Sequence, residues 1–138
     1  MKEVRLQVRS TQEGVETSYI CTVASMKMRN GVYKFVFDSP RVGIFDVDKL
    51  CLIASERGLR MRPEGVSKIA EMILETGKKH YRHFRRRDGS SRVVGIETYR
   101  VMFDLTKDGG EFEVEFMTDD GKFNYNRNLV ELRFVLNK

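Results

Sequence analysis

Four glycine dipeptides, Asn30-Gly31, Asp88-Gly89, Asp108-Gly109 and Asp120-Gly121, divide this chain into segments in which apolar and polar residues alternate. Asn-Gly and Asp-Gly readily adopt the positive φ angles of tight hairpin turns, so each one signals a pair of antiparallel strands. The clearest segment is Glu111-Phe112-Glu113-Val114-Glu115-Phe116. On a strand it sends three apolar side chains to one face and three carboxylates to the other. A turn at Asp108-Gly109 sets Leu105, Phe103 and Val101 opposite Phe112, Val114 and Phe116, all on one face. The first strand follows the same rule, with Val4, Leu6 and Val8 inward and Glu3, Arg5, Gln7 and Arg9 outward. Residues 16–29 and 32–38 pair across Asn30-Gly31, and residues 49–55 and 58–62 form two shorter strands around Arg57-Gly58. Beyond Asp120-Gly121, Phe123 and Tyr125 share one parity while Val130, Leu132, Phe134 and Leu136 share the other. One extra residue near Arg127 or Asn128, a β-bulge, reconciles them.

The chain of 138 residues has room for one core, so residues 1–138 are expected to form one domain. Local rules favour a short helix over Ser67–Gly77, with a serine to cap it, apolar residues at Ile69, Met72 and Ile73, and a terminal glycine. With that segment left out, about eight strands remain, which predicts an all-β sandwich or closed barrel. A content of 41% hydrophobic and 33% charged residues fits a soluble globular domain. The first residues alternate charge with apolar side chains, and no later run approaches the roughly 18–20 apolar residues of a membrane span. A cytoplasmic location, with no membrane partner, is therefore expected. Cys21 and Cys51 form no Cys-x-x-Cys, which points to a reduced compartment and buried thiols.

The net charge of +5 is unevenly spread. Residues 77–100 hold Lys78, Lys79, Arg82, Arg85, Arg86, Arg87, Arg92 and Arg100 against Asp88 and Glu97. Residues 104–121 then hold Asp104, Asp108, Glu111, Glu113, Glu115, Asp119 and Asp120 against Lys107. One reading makes the basic stripe a polyanion-binding surface, with Lys78, Lys79, Arg82, Arg85, Arg86, Arg87 and Arg92 on nucleic-acid phosphates. The other makes the two stripes neighbouring hairpins that present opposite charges to solvent and to each other. Tyr81 and Phe84, interleaved with Lys79, Arg82 and Arg85, resemble the aromatic-plus-basic surface of a single-strand binder. They alternate faces on a strand, so at most one of them stacks on a base.

Catalytic patterns are missing. His80 and His83 lie three apart and, on a strand, point to opposite faces, so they share no metal ion. Asp46 and Asp48 face the same way on an extended segment, but the stretch lacks the glycine and later glutamate of a calcium loop and reads as solvated strand-end carboxylates. Neither a Gly-x-Ser-x-Gly elbow, a phosphate loop nor a Gly-x-Gly-x-x-Gly run occurs. No cofactor is implied. Phe35, Phe37, Phe103, Phe112, Phe116 and Phe134 are candidates to line a barrel lumen, either around a small apolar ligand or as a packed filling.

Three stretches, Arg5–Gln12, Met72–His80 and Asp104–Phe116, together resemble the YwiB-like family of small bacterial proteins. The resemblance implies a closed, lipocalin-type (calycin-like) antiparallel barrel of about eight to ten strands in a meander. It also implies that Met72–Glu75 is a strand, with Met72 and Leu74 on the opposite face from Ile73 and Glu75. It supplies no catalytic residues. The expectation is a non-enzymatic barrel that binds a small apolar or amphipathic ligand in or at its mouth, with polyanion binding by the hairpin at 78–92 as the alternative.

Overall fold

The structure, a computed structural model, describes residues 1–38, 41–42, 45–46, 49–64, 71–85, 89–122 and 124–137; at 41–42, 45–46, 84–85 and 91–92 it describes the backbone alone. The described residues form β1 (Lys2–Gln12), β2 (Val15–Arg29), β3 (Val32–Asp38), β4 (Arg41–Val42), β5 (Phe45–Asp46), β6 (Lys49–Ser55), β7 (Gly58–Pro63), β8 (Met72–Glu75), β9 (Lys79–Arg85), β10 (Ser91–Thr106), β11 (Gly109–Asp119) and β12 (Tyr125–Leu136). Ten of them make one antiparallel sheet in the order β8-β7-β6-β3-β2-β1-β12-β11-β10-β9, and β4 and β5 pair separately. The sheet curls into a nearly closed barrel. The first and last strands pair at its centre, from Val4 opposite Leu136 to Gln12 opposite Asn128. The gap therefore falls between β8 and β9, where a parallel bridge joins Thr76 to Thr98.

Alternation places the core as the sequence predicts. Val4, Leu6 and Val8 of β1, Phe112, Val114 and Phe116 of β11, and Val130, Leu132 and Phe134 of β12 are all buried. Arg29 pairs with Val32, so Asn30-Gly31 forms the expected two-residue turn, with φ of +52° and +76°. Glu13-Gly14 makes an equivalent turn between β1 and β2, with φ of +50° and +80°. Glu-Gly is a weaker turn signal than Asn-Gly or Asp-Gly, so the sequence does not single it out.

Four expectations need correction. The β10–β11 turn is Lys107-Asp108, because Thr106 pairs with Gly109 and Phe103 with Phe112. The register thus differs by two residues from that of a turn at Asp108-Gly109, and a shift of two leaves every side chain on its expected face. The Thr106 hydroxyl receives the Asp108 N–H at 3.3 Å, which stabilises this turn. Gly110 keeps φ of +147°, and a Cβ there would lie 2.2 Å from the Asp104 carbonyl oxygen.

The predicted bulge near Arg127 or Asn128 is absent, since β12 keeps one register with β11 from Tyr125 to Val135. Tyr125 is simply exposed, and Phe123 lies outside the described residues. The bulge sits in β10 instead: Thr98 faces Phe116 and Arg100 faces Glu115, leaving Tyr99 as the extra residue. It lets Val94, Ile96 and Thr98 point inward before it and Val101, Phe103 and Leu105 after it, although the two sets differ in parity. Third, Met72–Glu75 is strand rather than helix, as the resemblance implies, because ladder pairing with β7 from Met61–Met72 to Gly58–Glu75 outweighs local propensity. Residues 67–70 lie outside the described residues. Last, Cys51 is buried but Cys21 is exposed on the outer face of β2.

Aromatic rings fill the end of the barrel nearest Asn30-Gly31. Tyr33 of β3 lies five strands away from β10 in the sheet order, yet its hydroxyl donates to the Leu105 carbonyl at 3.1 Å and its ring meets Phe103 at 5.7 Å. Phe35 meets Phe134 edge-on at 5.2 Å, and Phe103 meets Phe112 at 6.3 Å. These contacts cross the interior and join its walls.

Two outcomes are expected from urea unfolding. Phe134→Ala should cost about 3–5 kcal/mol, and Tyr33→Phe about 1 kcal/mol, because it removes one buried hydrogen bond. Gly14, with open space around it, should tolerate alanine at roughly the 1–2 kcal/mol of left-handed strain. Gly110→Ala should cost clearly more, since the backbone of Asp104 blocks the methyl group.

Candidate ligand site at the mouth of the barrel

Burial of the inward side chains changes along the barrel axis. Near the Asn30-Gly31 end no water-sized probe reaches Phe35, Phe112 or Phe134, which are 0% exposed. Phe37 and Phe116 are also buried, and Phe103 is half-buried. At the opposite end the inward positions become polar and half-buried: Ser10 and Gln12 of β1, Ser18 of β2, Thr118 of β11, Asn126 and Asn128 of β12, and His80 of β9. This end is the mouth. The six candidate phenylalanines all face inward, and the three fully buried ones pack against other side chains of the core.

The register assembles the mouth in rows. Thr98 stands beside Phe116, Phe116 beside Asn128, and Asn128 beside Gln12. One row further out, His80 stands beside Ile96, Ile96 beside Thr118, and Thr118 beside Asn126. Arg82 lies beside Val94 in the next row. Asn128 donates to the Thr118 hydroxyl at 3.2 Å and to the Asn126 carbonyl at 3.0 Å, which holds the amides of β12 against β11. The Glu13-Gly14 turn is tied to β12 by Glu13 N–H to the Arg127 carbonyl at 2.8 Å and by Arg127 N–H to the Glu13 carboxylate at 2.7 Å.

Within this mouth several buried polar atoms have no hydrogen-bond partner among the described residues. They include the Thr98 hydroxyl, His80 Nε2 and the Ser18 hydroxyl. Thr98 is 3% exposed and Arg82 7%. Burial pushes the Arg82 guanidinium below its ordinary value. An unpaired buried polar group costs free energy, so each such atom calls for a ligand, a water or a functional reason.

The basic stripe is divided by the fold. Arg82 points into the barrel and so is not part of an outer polyanion surface, a correction that follows from the inward parity of β9. Lys79 lies 3.7 Å from Asp119, and Arg100 bonds Glu113 at 2.8 Å and Glu115 at 2.7 Å. Arg133 pairs with Glu111. The basic and acidic segments thus meet across β9, β10 and β11, with Lys79 reaching over β10 to Asp119, as the second reading of the charge pattern expects. Lys78 is exposed, Tyr81 is 63% exposed on the outer face, and His83 is outward, opposite in direction to His80. Of the other candidates, Arg86 and Arg87 lie outside the described residues, as do the side chains of Phe84, Arg85 and Arg92. Asp48 lies outside them too, along with the side chain of Asp46. Among the described residues no three His, Cys, Asp or Glu side chains converge to hold a metal ion, and no helix is long and apolar enough to cross a membrane.

A groove of about 430 Å³ lies on the outer wall beside Arg5, Cys21, Val23, Arg133 and Val135. Gln7 and Thr22 line it as well, and it faces away from the barrel interior.

No protein-family model and no curated protein matches this sequence. The crystal structure of the YwiB protein from Bacillus subtilis is similar to it, with a TM-score of 0.74 over 99% of this chain and 93% of that one. The two share a fold. Their sequences are 14% identical, so the likeness concerns the fold alone.

Nothing in the sequence pattern singles out Thr98, Thr118 or Asn126, and Asn128 is marked there only as a bulge position. The one available signal was the parity change between Val94-x-Ile96 and Val101-x-Phe103-x-Leu105, which marks a bulge and hence a special residue beside it.

Thr98→Val keeps the shape and removes an unpaired hydroxyl, so in ligand-free protein it should raise unfolding stability by about 1 kcal/mol in a urea titration. The outer ion pairs should behave oppositely. The Arg100 guanidinium, donating to Glu115, holds that carboxyl below its ordinary range. A carboxyl whose folded-state pKa is depressed adds stability that is complete above its unfolded value, near 4.3, and is lost as pH falls through the folded value. Arg100→Gln should therefore cost up to about 1 kcal/mol at pH 7. The difference from wild type should shrink as urea titrations are carried to acid pH.

Proposed function

We propose that this protein is a non-enzymatic binding protein that takes a small amphipathic molecule at the mouth of its barrel. The observation that carries this reading is the axial change in the interior, from aromatic rings at one end to half-buried polar side chains at the other. A concave, partly apolar site with a few convergent polar groups is the usual form of a small-molecule site. Phe116, Ile96 and Val94 supply apolar wall, while Thr98, His80, Asn126 and Asn128 supply hydrogen-bonding groups. The ten-stranded barrel permits this because its lumen is wider than that of eight strands, whose side chains just fill it. Nucleic acid is the less favoured partner, because the stripe spends Lys79 and Arg100 on acidic neighbours and Arg82 on the interior.

Native mass spectrometry of freshly purified protein should show a retained small molecule that disappears on denaturation, and anilinonaphthalene sulfonate should fluoresce on binding the emptied protein. Ser10→Trp places an indole in the mouth and should abolish both signals with little change in melting temperature. Absence of both signals in wild type, or their survival in a folded Ser10→Trp protein, overturns the reading.

A further inference from the structure

We infer that the mouth receives an oxyanion, a carboxylate or phosphate group, held between Thr98 and His80. This rests on the reading of the mouth as a small-molecule site and names the chemistry of the ligand's head. His80 pairs with Ile96 across the β9–β10 ladder, so Thr98 is its diagonal neighbour on the same interior face. Such neighbours stand about 7–8 Å apart at Cα. Both side chains project inward from there, toward the same stretch of interior.

The two sites share a chemical defect. Thr98 is only 3% exposed, and its hydroxyl has no partner among the described residues. His80 Nε2 is buried and equally without a partner among the described residues. A hydroxyl and an imidazole N–H both donate, and an oxyanion accepts from two donors at once through different oxygens. Arg82 lies two residues along β9 on the same face, with contacts of its own. The inward positions described on β9, β10, β11 and β12 carry no acidic side chain to oppose a bound anion. Two buried donors with no carboxylate opposite them favour an anion over a neutral acceptor, because a hydrogen bond to a charged acceptor is the stronger one.

The Tyr99 bulge explains why Thr98 is available. In a regular ladder Thr98 and Arg100 would share one face, and the guanidinium would point into the core. The extra residue turns Arg100 out to Glu113 and Glu115 and keeps Thr98 turned in.

The test uses calorimetric titration of the full chain with decanoate, decanol and inorganic phosphate. Decanoate should bind at least ten-fold more tightly than decanol. Thr98→Val should weaken decanoate about ten-fold and leave decanol unchanged, while Thr98→Ser, which retains the hydroxyl, should bind like wild type. His80→Gln, which keeps an N–H donor, should lose less than His80→Phe, and this pair serves if Thr98→Val does not fold. Tight phosphate binding that Thr98→Val also weakens supports the oxyanion and assigns a compact anion rather than a fatty one. Equal affinity for decanoate and decanol, with no phosphate binding, overturns the oxyanion but leaves the mouth reading standing. Failure of all three probes removes the mouth reading and the oxyanion with it.

Discussion

Tyr33 crosses the barrel. Its ring and hydroxyl reach from β3 to β10, strands on opposite sides of the sheet, and so set the distance between the walls at the closed end. A curled sheet with ten strands has more interior than aliphatic side chains alone would fill. Rings from β3, β10, β11 and β12 fill it here, meeting edge-on or tilted as aromatic pairs prefer. Burial also pushes the Tyr33 phenol above its ordinary pKa, so the group stays protonated and donates. The mouth depends on this arrangement, because with one end closed by rings the same strands can carry polar residues at the other without losing the core.

The topology places the weakest pairing beside the candidate site. In a meander whose first and last strands pair with each other, the open edges are two strands consecutive in the chain, here β8 and β9. Thr98 contributes to the bridge that spans this gap, and among the described residues it is also the most buried of the unpartnered hydroxyl residues. A ligand bound at Thr98 and His80 would therefore add interactions where the ladder has fewest.

Outside, electrostatics follows the strand order rather than the chain order. The basic stretch from Lys78 to Arg100 lies mostly on β9 and β10 and the acidic stretch from Asp104 to Asp120 largely on β11, so that Arg100 reaches two carboxylates on the next strand and Lys79 reaches a third across β10. Exposed pairs of this kind contribute little stability each. Their effect is on surface character, because they neutralise part of what the sequence displays as a continuous positive run.

Much of this fold was determined by the sequence by itself. Alternation in β1, β11 and β12 decided which side chains face the core, since a strand has a period of two residues and one buried face admits one phase. Asn30-Gly31 decided its turn because few dipeptides adopt paired positive φ so cheaply. Tertiary structure alone decided the rest. Met72–Glu75 is strand because β7 offers it a ladder, and no local propensity contains that information. Regular pairing with β1 and β11 kept β12 free of the bulge that its own parity invited, while β10 took one at Tyr99. The mouth was the least legible element. Its residues come from six strands spread from Ser10 to Asn128, and they are ordinary strand polars until curvature turns them toward one another. Which polar atoms lie buried and unpaired depends on that three-dimensional approach, and sequence spacing does not record it.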